Sequence, residues 1–166
     1  MGSDKARLRL GSRTMLGQIK AMARKTGWPV RIIRRDIVPR CGPAGGVHTA
    51  LATTESDAIL FLACDMPFIK SDLLLFILES AGSSKAAVFI KSGSRIGFPF
   101  LLSRQTLPLV TRQLRNGACS IQHLAKALKA KILRPPVKFR AQLLNLNTPN
   151  EWELARRLWK RKQRGK

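Results

Sequence analysis

The sequence predicts an α/β fold built on a mostly parallel sheet. Strand-like apolar runs alternate with amphipathic helical stretches along almost the whole chain, which is the pattern of helices laid on a sheet. The stretch Asp57-Ala58-Ile59-Leu60-Phe61-Leu62-Ala63-Cys64 is nearly all apolar, as suits a strand covered on both faces. At 166 residues with 45% hydrophobic side chains, the chain is long enough for one domain with a sizeable core.

Each element follows from local chemistry. Over 13–26, Met15, Leu16, Ile19, Met22 and Ala23 line one helix face, closed by Gly27 and Pro29. Val30–Ile33 reads as a short strand. Residues 40–46 read as a loop, Arg40-Cys41-Gly42-Pro43-Ala44-Gly45-Gly46, and Val47–Thr53 as a helix. The apolar run 57–64 is the central strand. Ser71 caps a helix with the stripe Leu73, Leu74, Ile77, Leu78 and Ala81. Ala86–Ile90 is a buried strand, and Gly97–Leu102 is another, whose Pro99 points to a sheet edge or an irregular start. Ser103–Arg115 and Ser120–Ala130 are helices broken at Asn116-Gly117. Lys131–Leu133 and Gln142–Leu146 complete the strands. Thr148 and Pro149 then open a last helix as N-cap and first helical residue.

The charge is one-sided. Lys and Arg number 31 against 9 Asp and Glu, a net charge of +22. Ten basic residues fall in 1–35, eight in 111–140 and seven in Arg156–Lys166, whereas 36–110 balances six against six. Such a surface calls for a polyanionic partner, whether nucleic acid, nucleotide or anionic membrane. No run reaches the ~18 apolar residues of a membrane span. Cys41, Cys64 and Cys119 are odd in number and form no CxxC pair, so reduced thiols in the cytoplasm are expected in place of a disulfide frame or zinc site.

Asp65 is the most informative residue. It ends the most hydrophobic strand, where ligands of open α/β sheets bind, and one carboxylate there suits Mg²⁺ beside a phosphate. Its other reading is a turn cap before Met66-Pro67. The 42–46 segment precedes a helix, so its N–H groups suit an anion or a base edge; it is neither a Walker A loop nor GxGxxG, and a plain turn is the alternative. Asn145 and Asn147 flank Leu146, and a two-residue period puts both amides on one face toward a polar ligand; turn formation and helix capping are the alternative. His48 and His123 lack metal-ligand spacing. Trp152 and Trp159 read as packing.

Taken together, Met1-Gly2-Ser3-Asp4-Lys5-Ala6, Gly42-Pro43-Ala44-Gly45-Gly46, Ala63-Cys64-Asp65-Met66-Pro67 and Asn145-Leu146-Asn147-Thr148-Pro149 stand in the order seen in molybdenum cofactor guanylyltransferases. From residue 1 to about 155 the chain resembles this family, part of the wider MobA-like nucleotidyltransferases. The resemblance implies a Rossmann-like three-layer sandwich and transfer of GMP from GTP to the phosphate of molybdopterin, with release of pyrophosphate. It implies that Lys5 and Asp36 contact the nucleotide, that Gly42, Pro43, Gly45 and Gly46 pack against the guanine, that Asp65 holds Mg²⁺, and that Asn145 and Asn147 lie near the pterin. Residues 1–155 would be the transferase domain and 156–166 a basic extension suited to an acidic partner protein.

Two departures follow. The family opens with a buried strand and a Gly-Gly-x-Ser-Arg-Arg-Met-Gly loop, whereas this chain begins at the Met-Gly of that loop. The first strand and its phosphate-binding glycines are therefore expected to be missing, either through a start codon placed downstream of the true one or in an inactive copy. The interval from Lys5 to Asp36 is also short. A basic nucleic-acid-binding protein and a non-catalytic remnant are the competing functions. Steep loss of binding between ~50 and ~200 mM salt would mark the former.

Overall fold

The computed structural model describes residues 7–82 and 86–164. The elements run β1 (Arg9–Leu10), β2 (Arg13–Thr14), α1 (Met15–Arg24), α2 (Gly42–Ala52), β3 (Ala58–Phe61), α3 (Ser71–Ala81), β4 (Ala87–Ser92), β5 (Arg95–Ser103), α4 (Leu107–Arg115), α5 (Ile121–Ala127), β6 (Lys131–Leu133) and α6 (Pro149–Arg164). The chain divides into two compact units. One holds Met1–Val30, Ala63–Leu73 and Val137–Lys166, and the other Arg31–Leu62 and Leu74–Pro136.

The second unit carries a four-stranded sheet in the order β3-β5-β4-β6. Phe61, Ala87, Phe89, Phe100 and Leu102 share a buried cluster with Val47, Ala50 and Leu51 of α2, Val110 of α4, and Ile121, Leu124 and Ala125 of α5. Phe100 stacks between Phe61 and Phe89, with ring centroids 5.0 and 4.5 Å away. Val88, Ile90 and Leu101 alternate with these residues and are buried too, so β4 and β5 are covered on both faces. The α/β class expected from the sequence is therefore borne out.

The pairing differs from expectation. β3 and β4 both run antiparallel to β5, and only β4 and β6 are parallel. The cause is a tight hairpin. Ser92 pairs with Arg95, leaving the two-residue turn Gly93-Ser94, where Gly93 has φ +60°. That conformation is open to glycine and fits the twist of antiparallel strands. Pro99 lies in a central strand, not at an edge. It is tolerated where the β4–β5 register shifts at Phe89/Ile90 and the ladder is interrupted. Val30–Ile33 forms no strand; Arg31 instead donates from its guanidinium to the Thr53 carbonyl at the end of α2 (2.8 Å).

The first unit has its own core. Leu10, Met15, Leu146 and Ala155 are buried together, with Phe68, Trp152 and Trp159 packed against them. The β1–β2 hairpin leads into α1, whose N-cap Thr14 accepts a hydrogen bond at Oγ1 from the Gly17 N–H (3.0 Å). Residues 142–146, expected as a strand, are not one. Val137–Leu143 is a 3₁₀ helix, and irregular chain follows to Asn147. Gln142 explains the helix: it is buried, donates from Nε2 to Asp72 Oδ1 (3.0 Å) and accepts at Oε1 from the Lys70 N–H (2.9 Å). A ladder position would leave those polar groups unmatched.

α6 begins with the cap expected at Thr148-Pro149. Thr148 Oγ1 accepts from the Glu151 N–H (3.2 Å), and Glu151 Oε2 accepts from the Thr148 and Asn147 N–H groups (both 2.8 Å). This is a capping box with one further donor. Among the described residues no helix is long and apolar enough to cross a membrane.

Candidate functional site

The expected site residues fall in two groups, one in each compact unit. In the second unit, residues 33–38 lie across the start of α2. The Asp36 carboxylate sets the geometry. Its Oδ2 lies 2.7 Å from where a Cβ on Gly45 would stand, and the Val38 carbonyl oxygen 3.0 Å from the same point. Gly46 would meet Asp36 Oδ1 only at 3.5 Å and Ile33 Cγ2 at 4.0 Å. The Ile37 N–H donates to Thr49 Oγ1 (2.8 Å), one turn beyond Gly45, and clips the segment down. Asp36 thus lies directly against Gly45 and Gly46.

The glycine segment itself departs from expectation. Gly42–Gly46 is the first part of α2, not a loop, with Pro43 in the first turn where its missing N–H costs nothing. Cys41 is the N-cap and makes no side-chain capping bond. The first-turn N–H groups of Gly42 and Ala44 therefore receive no cap from that side chain, at the positive end of the helix dipole beside exposed Gly42, Pro43 and Asp36. Arg40 enters this turn at φ +61°, an uncommon conformation for a non-glycine residue.

In the first unit, Asp65 lies past β3 on irregular chain and is partly buried, with Oδ1 shielded from solvent. Its carbonyl accepts the Leu146 N–H (3.0 Å), which ties the Asp65 segment to the Asn145 segment. Asn145 is half-buried, and its Oδ1 is a solvent-shielded acceptor with no hydrogen-bond partner among the described residues. Buried amide oxygens are usually paired, so this one is an acceptor open to a donor from outside the chain. Asn147 is exposed, and its backbone N–H serves the α6 cap. The two amides therefore do not share an environment, because the segment is not the strand that would have put them on one face. Lys5 and the rest of the Met1–Ala6 motif lie outside the described residues.

Among the described residues no cluster of three or more His, Cys, Asp and Glu could hold a metal ion. The oxygens that the Leu146–Asp65 bond brings onto adjoining segments are those of one carboxylate and one amide. Such a sparse oxygen set fits Mg²⁺, which keeps most of its waters and takes further ligands from substrate phosphates.

Sequence reading missed Thr49 and the Val38 carbonyl as supports of Asp36. The spacing signal was present: Thr49 is four residues after Gly45 and so lies on the same helix face.

Solved structures share this architecture. Molybdopterin-guanine dinucleotide biosynthesis protein A from Archaeoglobus fulgidus superposes with a TM-score of 0.74 at 17% identity, covering 96% of this chain and 92% of that one. A Mycobacterium tuberculosis protein solved in complex with manganese gives 0.66 at 17% identity, over 94% and 93%. The fold is thus the Rossmann-like α/β fold of nucleotidyltransferases. Residues 1–132 match the MobA-like NTP transferase domain, and the chain belongs to that family. A molybdenum cofactor guanylyltransferase from Syntrophotalea carbinolica is 32% identical over 136 residues, 76% of this chain. The chain spans 63% of that relative's length, and 62% of a second one from Flavobacterium johnsoniae at 29% identity.

Proposed function

We propose that the protein transfers GMP from GTP to the terminal phosphate of molybdopterin and releases pyrophosphate. The observation that carries this reading is the Leu146–Asp65 backbone bond, which holds a carboxylate and an amide with a buried, unmatched oxygen on adjoining segments. In the second unit, the uncapped start of α2 with Asp36 against it offers N–H donors and a carboxylate acceptor. A guanine edge, which carries both acceptors and donors, matches such a pair.

Roles follow from chemistry. Asp36 accepts from the base, and Gly42, Pro43, Gly45 and Gly46 allow the ring to lie close to the backbone. Asn145 accepts from a pterin N–H at its amide oxygen, and Asn147 contacts the same ligand from the exposed start of α6. Lys5 neutralises phosphate charge. Asp65 would hold Mg²⁺, which when bound supplies positive charge to the phosphates and the leaving pyrophosphate. The nucleophile is the phosphate oxygen of the acceptor, so no activated serine or cysteine is required. Residues 1–155 act as the transferase domain in the cytoplasm, and the basic extension 156–166 is left for an acidic partner protein.

Calorimetric titration of GTP and CTP, with and without Mg²⁺, at ~50 and ~200 mM salt tests the donor site. The reading expects Mg²⁺-dependent GTP binding, weaker CTP binding, and no collapse with salt. A chain that ignores nucleotides but binds nucleic acid in a steeply salt-dependent way overturns it.

A further inference from the structure

A pair of cysteines, far apart in sequence, meets at the start of α2. Cys41 is its N-cap and is buried. Cys119 stands in the turn between α4 and α5, and packs with Val38 against a small cluster of Cys41, Ala44 and Leu114. Cys119 thus packs on the cluster that holds Cys41, and its side chain is the first cause that raises the Cys41 thiol above its ordinary value. Cys119 is the more exposed of the two. Its carbonyl oxygen lies 3.9 Å from where a Cβ on Gly42 would stand, so the turn touches the helix start through backbone as well. The mechanism above uses neither thiol.

We propose that Cys41 and Cys119 form a redox-sensitive thiol pair that closes to an intramolecular disulfide on exposure to hydrogen peroxide, and that closure weakens nucleotide binding at the adjoining Asp36–Gly46 arm. The chemistry balances in two steps. The Cys119 sulfur attacks the peroxide O–O bond, giving a sulfenic acid and water after proton transfer. The Cys41 sulfur then attacks the sulfenic sulfur, forming the S–S bond and expelling a second water. Two thiols are oxidised by two electrons in all, and one peroxide is reduced to two waters.

The order of attack follows from exposure. The Cys119 side chain, burial, the Cys119 charge and the Asp36 carboxylate hold the Cys41 thiol above its ordinary value, which suits it to the resolving role. Closure draws the two packed sulfurs together to about 2.05 Å. Part of that movement falls on residue 41, and Asp36 rests on the helix one turn further on, with no room at Gly45 to absorb a shift. The coupling to nucleotide rests on the function proposed above; the disulfide itself does not.

The test uses the full chain with hydrogen peroxide, then alkylation and digestion. Cleavage before Asp57 separates Cys41 from Cys64, so the linked peptide identifies its own partners by mass. The expected result is one dithiothreitol-reversible Cys41–Cys119 peptide within single chains, with Cys64 still free, and GTP affinity about tenfold lower in the oxidised form. Cys119→Ala should give no linked peptide and keep its GTP affinity after peroxide. Three titratable thiols after treatment, or a link through Cys64 or between chains, overturn the pair. A linked chain with unchanged GTP affinity overturns the coupling. A reduced chain that never binds GTP defeats the nucleotide reading, while the mapped link still decides the thiol pair.

Discussion

Alanine at Gly45 and at Gly46 should act in opposite directions. Both positions lie inside α2, and replacing a helical glycine by alanine ordinarily stabilises by about 1 kcal/mol. At Gly46 nothing opposes this, because the new methyl would sit 3.5 Å from Asp36 Oδ1 and 4.0 Å from Ile33 Cγ2, ordinary contact distances. At Gly45 it would sit 2.7 Å from Asp36 Oδ2 and 3.0 Å from the Val38 carbonyl oxygen. The carboxylate can swing away, but the carbonyl moves only with the backbone that Ile37 pins to Thr49. Overpacking of this kind costs about 1–3 kcal/mol, which outweighs the helix gain and leaves a net loss of about 1 kcal/mol. The variants should therefore differ by about 2 kcal/mol, or several degrees in melting temperature for a chain of this size. Urea unfolding of both reads this directly. GTP affinity should fall about tenfold in Gly45→Ala, because Asp36 is displaced. Adding Asp36→Ala to Gly45→Ala should recover part of the stability and none of the binding. If Gly45→Ala is as stabilising as Gly46→Ala and binds GTP normally, the segment 36–38 does not rest on α2 as described.

Asp65→Asn keeps the side chain's shape and the Asp65 carbonyl bond to Leu146, so it should melt near wild type while Mg²⁺-dependent turnover of GTP falls about 100-fold or more; turnover within a fewfold of wild type would remove Asp65 from the phosphate site. Asn145→Ala discards an oxygen with no hydrogen-bond partner among the described residues, so urea unfolding should change by under about 0.5 kcal/mol while the acceptor KM rises about tenfold. Glu151→Ala strips acceptors from the Thr148 and Asn147 N–H groups and should cost about 1 kcal/mol of stability, read by urea unfolding, with Thr148→Ala similar. Because Cys41 is held above its ordinary value, its alkylation by iodoacetamide in the native chain should begin at higher pH than in denaturant; coincident pH profiles would contradict the buried thiol pair.

The parts legible in the sequence were those set by local chemistry. The stripes over 15–23 and 71–81, the cap at Thr148-Pro149 and the short strand at Lys131–Leu133 were all readable. Strand direction was not, because apolar runs such as Ala58–Phe61 look alike in parallel and antiparallel sheets. The Gly93-Ser94 hairpin did announce an antiparallel pair, and its weight was missed among polar neighbours. The helical state of Gly42–Gly46 ran against its composition. Three glycines and a proline read as a turn, and tertiary packing of Ala44, Val47 and Leu51 overrode that preference. The strand expected at 142–146 failed for the opposite reason: its apolar pattern fits a ladder, but Gln142 is claimed by Lys70 and Asp72, far away in sequence. At the site, Asp36, Gly45 and Asp65 could be named from the resemblance. The contact that makes Gly45 different from Gly46, and the meeting of Cys41 with Cys119, could not, since both depend on long-range packing.

The most direct measurement is product analysis after incubating the purified chain with GTP, Mg²⁺ and molybdopterin. The account predicts pyrophosphate release that requires the pterin, and a product heavier than molybdopterin by one guanylyl group, both lost in Asp65→Asn. GTP consumed without the pterin, or no guanylylated product from a folded chain that binds GTP, would contradict it.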